Sequence, residues 1–250
     1  MGHNRPVMTG PRFHPGKAST LVTILLFPCL VSLGLWQLDR AKQKLALYSQ
    51  MEINRHAPML QISTARELAV PLLLGRSVQV SGRYQAPNFL LDNRMRGGRA
   101  GYEIITPFKL NDGTHLLVAR GWIVADLDRA RLPRVELPTQ PVTLAGRLGN
   151  VPVVGIRLGK SSEIETLDPV LLRIQRVETV KVAKKLGYPL PAGLFYLDAA
   201  APHGYDRAWP VPSSDVSKHH AYAVQWFAMA VVLVLFYLKI NLQRGSTRDI

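Results

Sequence analysis

Few side chains in this chain could do chemistry, and those that could stand at the edges of apolar runs. His219, Ala223, Trp226, Ala230 and Leu233 recur at three- and four-residue intervals, so on a helix they share one stripe, with Tyr222 flanking it. A neutral imidazole among aromatic and apolar groups is what a haem iron asks of an axial ligand. Alanines on either side of the Trp226 indole would let a second helix or a flat ligand come close. His220 is turned away by about 100° and is the weaker ligand candidate. A second group, Gly34-Leu35-Trp36-Gln37-Leu38-Asp39-Arg40, closes an apolar run near the N-terminus. There Trp36 and Arg40 lie four apart on one face with Gln37 beside them, a face expected to meet the extracytoplasmic end of the second apolar run, and Arg40 could pair with a propionate or a phospholipid headgroup. Each group has a plainer reading. Tyr222 and Trp226 suit an aromatic belt at a membrane surface, with His219 merely solvated, and Arg40 suits a snorkelling side chain. Spacing alone favours the plainer reading of the first group and does not choose for the second.

Other chemistry is missing. No GxGxxG follows a strand, and no P-loop, HExxH or GxSxG occurs. Gly97-Gly98-Arg99-Ala100-Gly101 lies between two strand candidates with no helix after it, so it reads as a hairpin loop rather than a phosphate cradle. Carboxylates are scattered, no hydrolase or transferase site emerges, and the chain reads as a non-enzyme. The single cysteine, Cys29, excludes an intrachain disulfide and CxxC chemistry.

Two uncharged apolar stretches, residues 18–38 and 221–238, must position the candidate groups. Each is about as long as a helix that crosses a hydrocarbon core of roughly 30 Å. Arg5, Arg12 and Lys17 precede the first without an acid, and Lys239, Arg244 and Arg248 follow the second against Asp249 alone. By the positive-inside rule both termini are cytoplasmic. The first stretch is an anchor rather than a cleaved leader, since Trp36-Gln37-Leu38-Asp39 offers no small-residue cleavage site. The expected organisation is a cytoplasmic tail over 1–17, a span over 18–38, an extracytoplasmic domain over 39–218, a second span over 219–238 and a tail over 239–250. The location is then the cell inner membrane, multi-pass, with the main domain in the periplasm. The formal charge of +14 falls to +9 without the two tails and is spread through strand-like segments. That pattern speaks against nucleic acid and for anionic lipid or an acidic partner face.

Between the spans, Gln37 to Asn54 keeps helical composition and should stop before Pro58. Ser63 to Glu67 resembles a short capped turn. Period-two patterns follow at Val78 and Val80 and at Val142, Leu144, Gly146 and Leu148, and Phe89 to Leu91 is a short apolar run ending in Asp92-Asn93-Arg94. Tyr102–Leu110 and His115–Val124 flank Asn111-Asp112-Gly113-Thr114, the clearest hairpin in the chain. Val177 to Leu186 reads as a helix ended by Gly187, Leu194 to Asp198 as a last strand, and Ala199 to Ser217 as the linker back to the membrane. The predicted fold class is an α+β membrane protein: a two-helix transmembrane hairpin carrying one mainly antiparallel, barrel-like extracytoplasmic domain.

Several of these pieces, in this order, resemble the surfeit-locus-one family of cytochrome c oxidase assembly proteins. They are Gly34-x-Trp36-Gln37-x-x-Arg40, Gly82-Arg83-Tyr84, Leu91-Asp92-Asn93-Arg94, Gly101-Tyr102-Glu103-Ile104-Ile105-Thr106-Pro107-Phe108, Val118-Ala119-Arg120-Gly121-Trp122-Ile123 and His219-x-x-Tyr222-Ala223-x-x-Trp226-Phe227. The resemblance implies two membrane helices, a periplasmic or intermembrane domain, and a role in supplying haem a to oxidase subunit I. It implies a haem-binding histidine at His219, which turns the balance there towards the ligand. Lys218 and His220 depart from the family pattern, so His220 stays open as the alternative ligand. The leading expectation is transient haem a binding, with His219 on the iron, Tyr222, Trp226, Trp36 and Gln37 around it, and Arg40 on a propionate. The partners are then oxidase subunit I and the lipid membrane, with haem A synthase as a further candidate. Two other readings stand beside it: a haem-free scaffold for subunit I, and a membrane-anchored solute sensor or transport accessory.

Overall fold

A computed structural model describes residues 12–69, 73–128, 131–152, 164–209 and 214–243. In chain order the elements are β1 (Arg12–Phe13), α1 (Lys17–His56), β2 (Leu60–Ile62), a 3-10 turn (Ala65–Ala69), β3 (Ser77–Tyr84), β4 (Asn88–Arg96), β5 (Arg99–Leu110), β6 (His115–Val124), β7 (Val142–Gly149), β8 (Glu165–Asp168), β9 (Leu171–Ile174), α2 (Thr179–Leu186), β10 (Leu194–Leu197), α3 (Ser217–Asn241) and β11 (Leu242–Gln243). They form two compact units, residues 1–48 with 213–250, and residues 49–212.

The first unit is a helical hairpin. Both α1 and α3 are long and apolar enough to cross a membrane. Their large apolar side chains, such as Leu25, Leu35, Val232 and Leu235, are exposed, while Gly34, Ala223 and Ala230 are buried. This inversion is how helices pair in lipid, where small residues let backbones approach. At Gly34 the approach is tightest, because a Cβ there would lie 2.5 Å from the Phe227 ring. At the chain-terminal end Asn241, almost fully buried, accepts the Gly16 N–H at 2.7 Å and donates to the Tyr237 carbonyl at 2.8 Å. Thr20 and Tyr237 share a hydrogen bond at 2.9 Å, and β1 pairs antiparallel with β11. Neither this ribbon nor the Asn241 cluster has a signature in the local sequence pattern. Arg5, Arg244 and Arg248, which contribute to the expected topology, lie outside the described residues.

The second unit is a closed barrel with an extension. Its sheet runs β2-β3-β7-β10-β6-β5-β4-β9-β8, and β3 also pairs with β5, which closes the ring β3-β7-β10-β6-β5. Closure gives each of the five ring strands a partner on both sides and leaves β2 and β8 as the edges of the sheet. The pairing is mainly antiparallel, as expected, with β2–β3, β6–β10 and β4–β9 parallel. Gly82 permits the β3–β5 crossing, because any Cβ there would run into the Lys109 carbonyl. Strand β6 serves two cores: Leu116 and Val118 join Val78, Phe108 and Phe195, while Leu117 and Ala119 join Phe89, Ile105 and Leu172.

The expected turns are present. Asp112 Oδ1 accepts the Thr114 N–H at 2.9 Å and its hydroxyl at 2.7 Å, and Gly113 takes φ +87°. These bonds hold the Asp112 carboxyl below its ordinary pKa. Gly97 and Gly98, at φ +54° and +75°, make the β4–β5 hairpin turn anticipated for that glycine run. Helix α2 ends at Gly187, which is left-handed.

One expectation needs correction. The stretch from Ala199 was read as a linker, yet residues 199–209 are strapped to the barrel. Arg207 donates to the Asp198, Ala201 and Ala199 carbonyls at 2.6–2.7 Å. Trp122 N–H donates to the Asp206 carbonyl at 2.7 Å, Arg96 bridges the Asp206 carboxylate at 2.7 Å, and Trp209 Nε1 donates to the Leu197 carbonyl at 2.8 Å. Loop composition predicted coil. It carried no sign that long-range guanidinium-to-carbonyl bonds would fix that coil in place. Residues 210–213 of the expected linker lie outside the described residues.

Candidate functional site

His219 stands in the first turn of α3. Asp215 fixes the start of that turn by accepting the Ser217 N–H at 2.8 Å, and Lys44 donates to the Asp215 carbonyl. Hydrogen bonds from Ser217 hold the Asp215 carboxyl below its ordinary pKa, helped by the nearby charges of Lys44 and Lys218. His219 is half-buried, and its Nδ1–H donates to Gln37 Oε1 on α1 at 2.9 Å. In a neutral imidazole that bond puts the proton on Nδ1 and the lone pair on Nε2, as is usual for imidazoles that bind metal through one nitrogen.

The other expected residues divide. Arg40 lies over the Trp36 ring at 5.6 Å and donates to Gln43 Oε1 at 2.9 Å, while Gln43 donates to Asp39 at 2.6 Å. Trp36 is 49% exposed and Tyr222 is 52% exposed. Trp226 is half-buried and His220 is exposed. The structure therefore brings His219 to Gln37, and Trp36 to Arg40 on an outward face. Trp36 and Gln37 are neighbours in sequence, but about 100° of helical rotation separates their directions. Sequence spacing left two occupants open beside Ala223. The Gly34–Phe227 contact and the burial of Ala223 and Ala230 show a helix–helix seam there, too close for a flat ligand. Among the described residues no group of three or more His, Cys, Asp or Glu could hold a metal ion. A single imidazole suits iron in a porphyrin, which already fills four positions.

The barrel holds polar residues that sequence reading took only as motif letters. Arg120, 1% exposed, is the extra residue of a bulge, since Ile104 faces Gly121 and Ile105 faces Ala119. Its Nε donates to the His203 carbonyl and its Nη1 to the Glu136 carbonyl, both at 2.8 Å. Its guanidinium lies 4.7 Å from the Tyr84 ring centroid and 5.2 Å from that of Tyr205. Burial lowers the Arg120 pKa and lifts that of Tyr84 to about 12. Glu103 is also buried, with its pKa raised by desolvation against the opposing Arg94 and Arg96 charges. Arg94 pairs with Glu103 at 3.3 Å and its carbonyl accepts Trp122 Nε1–H at 2.7 Å. The one available signal was a charged residue interrupting the apolar run of β6.

A family model, that of the SURF1 family, matches residues 24–231, most of the chain. This chain belongs to the SURF1 family. A SURF1-like protein of Rickettsia felis is 27% identical over 237 residues, covering 88% of this chain and 95% of the relative. A SURF1-like protein of Rickettsia conorii is 25% identical over 237 residues, covering 88% and 90%. An uncharacterized SURF1-like protein of Mycobacterium bovis is 23% identical over 229 residues, covering 87% and 80%. The surfeit-locus-one resemblance read from the motifs therefore holds. SURF1 is generally a family of cytochrome c oxidase assembly. In this SURF1 chain the motifs sort by unit. The Gly82, Asp92, Gly101 and Arg120 motifs meet in the barrel around Tyr84, Arg94 and Trp122, and the Gln37 and His219 motifs meet in the hairpin.

Proposed function

We propose that this SURF1-family chain is an inner-membrane assembly factor, with its barrel on the extracytoplasmic side, that holds haem a on the hairpin and passes it to oxidase subunit I. The observation that carries this reading is the His219–Gln37 hydrogen bond, which presents an oriented imidazole at one end of a helix pair. His219 would hold the haem iron through Nε2, with Gln37 setting the direction of the imidazole. The closed seam at Gly34 and Phe227 keeps a porphyrin from entering between the helices, so the haem lies against an outward surface. Half-exposed Trp36 and Tyr222 offer aromatic area on the hairpin, and Arg40 a charge for a propionate. One axial ligand in an open site gives exchangeable binding, which handover requires. The chain acts as a carrier without catalysis of its own. The spans are assigned to 18–38 and 219–238, the domain to 39–218, and the tails to 1–17 and 239–250.

The test is purification in detergent from cells that make haem a, followed by a visible spectrum and pyridine haemochrome analysis. His219→Ala loses the Soret band and His220→Ala keeps it. A Soret band unchanged by His219→Ala removes the ligand assignment. No haem in the wild-type chain, with oxidase still failing to assemble in its absence, assigns the protein to scaffolding of subunit I.

A further inference from the structure

We infer that the outward face of α2 docks on an anionic phospholipid surface. Val182 is the buried residue of this eight-residue helix. At about 100° per residue, Val180 and Lys184 then lie opposite Val182, Lys181 stands at the flank about 100° away, and Lys185 is only about 60° from Val182. Val180 is 82% exposed, and Lys181, Lys184 and Lys185 are exposed, with Lys184 nearest Val180 on the outward face. Glu178 is the carboxylate that answers this group, pairing with Lys181 at 2.8 Å and reaching Arg176 at 4.0 Å. Among the described residues Lys184 and Lys185 have no carboxylate within ion-pair distance.

Helix polarity accounts for part of this, since cations favour the last turn. It does not account for Lys181 in the first half, nor for a branched apolar side chain left in water beside Lys181 and Lys184. An amphipathic interfacial surface accounts for both: the apolar side chain enters the headgroup boundary while the lysines meet phosphate. Lysine also suits a diffuse field of phosphates better than a specific carboxylate, because it is a point charge without the planar fork of arginine. The membrane is always within reach, since the domain continues at both ends into helices able to cross it. Docking is therefore effectively intramolecular. The inference is independent of haem binding.

The experiment uses the full-length chain with Cys29→Ser and Val180→Cys, spin-labelled at position 180. It is placed in nanodiscs of phosphatidylcholine alone or mixed with phosphatidylglycerol. In mixed discs the label becomes less accessible to an aqueous nickel chelate and more accessible to oxygen, and the change is reversed by high salt. Each lysine near an anionic leaflet contributes about 1 kcal/mol, so Lys181→Ala with Lys184→Ala lowers the docked-to-free ratio roughly 30-fold. Both side chains are exposed, so the melting curve stays unchanged. A label equally aqueous in both kinds of disc overturns the inference. So does protection by soluble polyglutamate in phosphatidylcholine discs with no response to phosphatidylglycerol, which would give the face to an acidic protein.

Discussion

In the barrel, Arg120 donates to two backbone carbonyls and lies between two tyrosine rings, fully shielded from water. In the hairpin, His219 is half-buried and held through one ring nitrogen by one side-chain oxygen. Both come from sequence motifs of the same family, yet they are held in opposite ways. A polar group whose donors end on main-chain carbonyls is committed to the fold. A polar group steered by a single partner keeps a lone pair for something else. The contrast puts the barrel motifs into architecture and, on the function proposed above, leaves the hairpin motifs for chemistry.

The largest effect that tests this division is in the barrel. Arg120→Met strands the His203 and Glu136 carbonyls and removes a cation from between two rings. Charge-assisted hydrogen bonds are worth about 1.5–3 kcal/mol each, so the expected loss is about 3–5 kcal/mol in thermal or denaturant unfolding. The folded fraction should bind haem a as the wild type does. A variant of full stability with impaired haem binding would reverse the assignment of the two regions.

Next in size is Gln37→Leu in the hairpin. Freed from its partner, the imidazole turns, and loss of such an outer partner typically weakens metal binding about 10–100-fold. Unfolding should change by no more than about 1 kcal/mol, because only one half-exposed hydrogen bond is lost. Titration of haem a into variant and wild type measures the first quantity, and melting curves measure the second. Equal affinities would leave His219 without a positioning partner.

How much of this was legible follows from which signals are local. Asp112-Gly113, the Val78–Val80 alternation and Gly187 declare their turn, strand and helix end within a few residues, and each appears where expected. Strand β8 is illegible because Glu165-Thr166-Leu167-Asp168 is a short polar edge without apolar period, and β9, Leu171–Ile174, is too short an apolar run to declare itself. Barrel closure rests on Gly82 meeting a strand 27 positions later in sequence, at Lys109. No local pattern encodes that. His219 and Gln37 were both named from spacing, but their pairing depends on helix register, set by Gly34 against Phe227 at one level and by Asn241 at the other end. Trp36 and Arg40 were legible as a pair and illegible as outward-facing, since heptad spacing does not say which face meets the partner helix.

Tyr84 gives a smaller effect of opposite sign. Its ring packs against Arg120, and its hydroxyl is buried with no hydrogen-bond partner among the described residues. Tyr84→Phe keeps the ring and removes a desolvated hydroxyl, so the barrel should gain about 1 kcal/mol in unfolding. A loss instead would mean that the hydroxyl has a partner and that the polar centre of the barrel is larger than Arg120 and its carbonyls.

The smallest effect depends on pH and separates the barrel's two kinds of titrating group. His115 stacks on Tyr188 with ring centroids 3.8 Å apart, and its Nε2–H donates to Gln85 Oε1 at 3.2 Å. Burial, aided by the Lys109 charge and opposed by Asp112, holds the imidazole below its ordinary 6.5. As pH falls through 6.5, the unfolded chain takes up a proton that the folded chain still refuses. The His115 contribution is therefore complete above 6.5 and is lost as pH falls towards the lower folded value. Glu103 runs the other way. Its raised pKa gives stability that is present below 4.5 and lost as pH rises through the folded value. Melting curves of wild type alone would blend the two, so the informative quantity is the difference between wild type and His115→Phe, which keeps a ring on Tyr188 and removes the titration. That difference should open only on the acid side of 6.5, with the wild type losing more stability there than the variant. Parallel curves would mean that His115 is solvated like an imidazole in the unfolded chain, and that the stacked pair closes nothing against water.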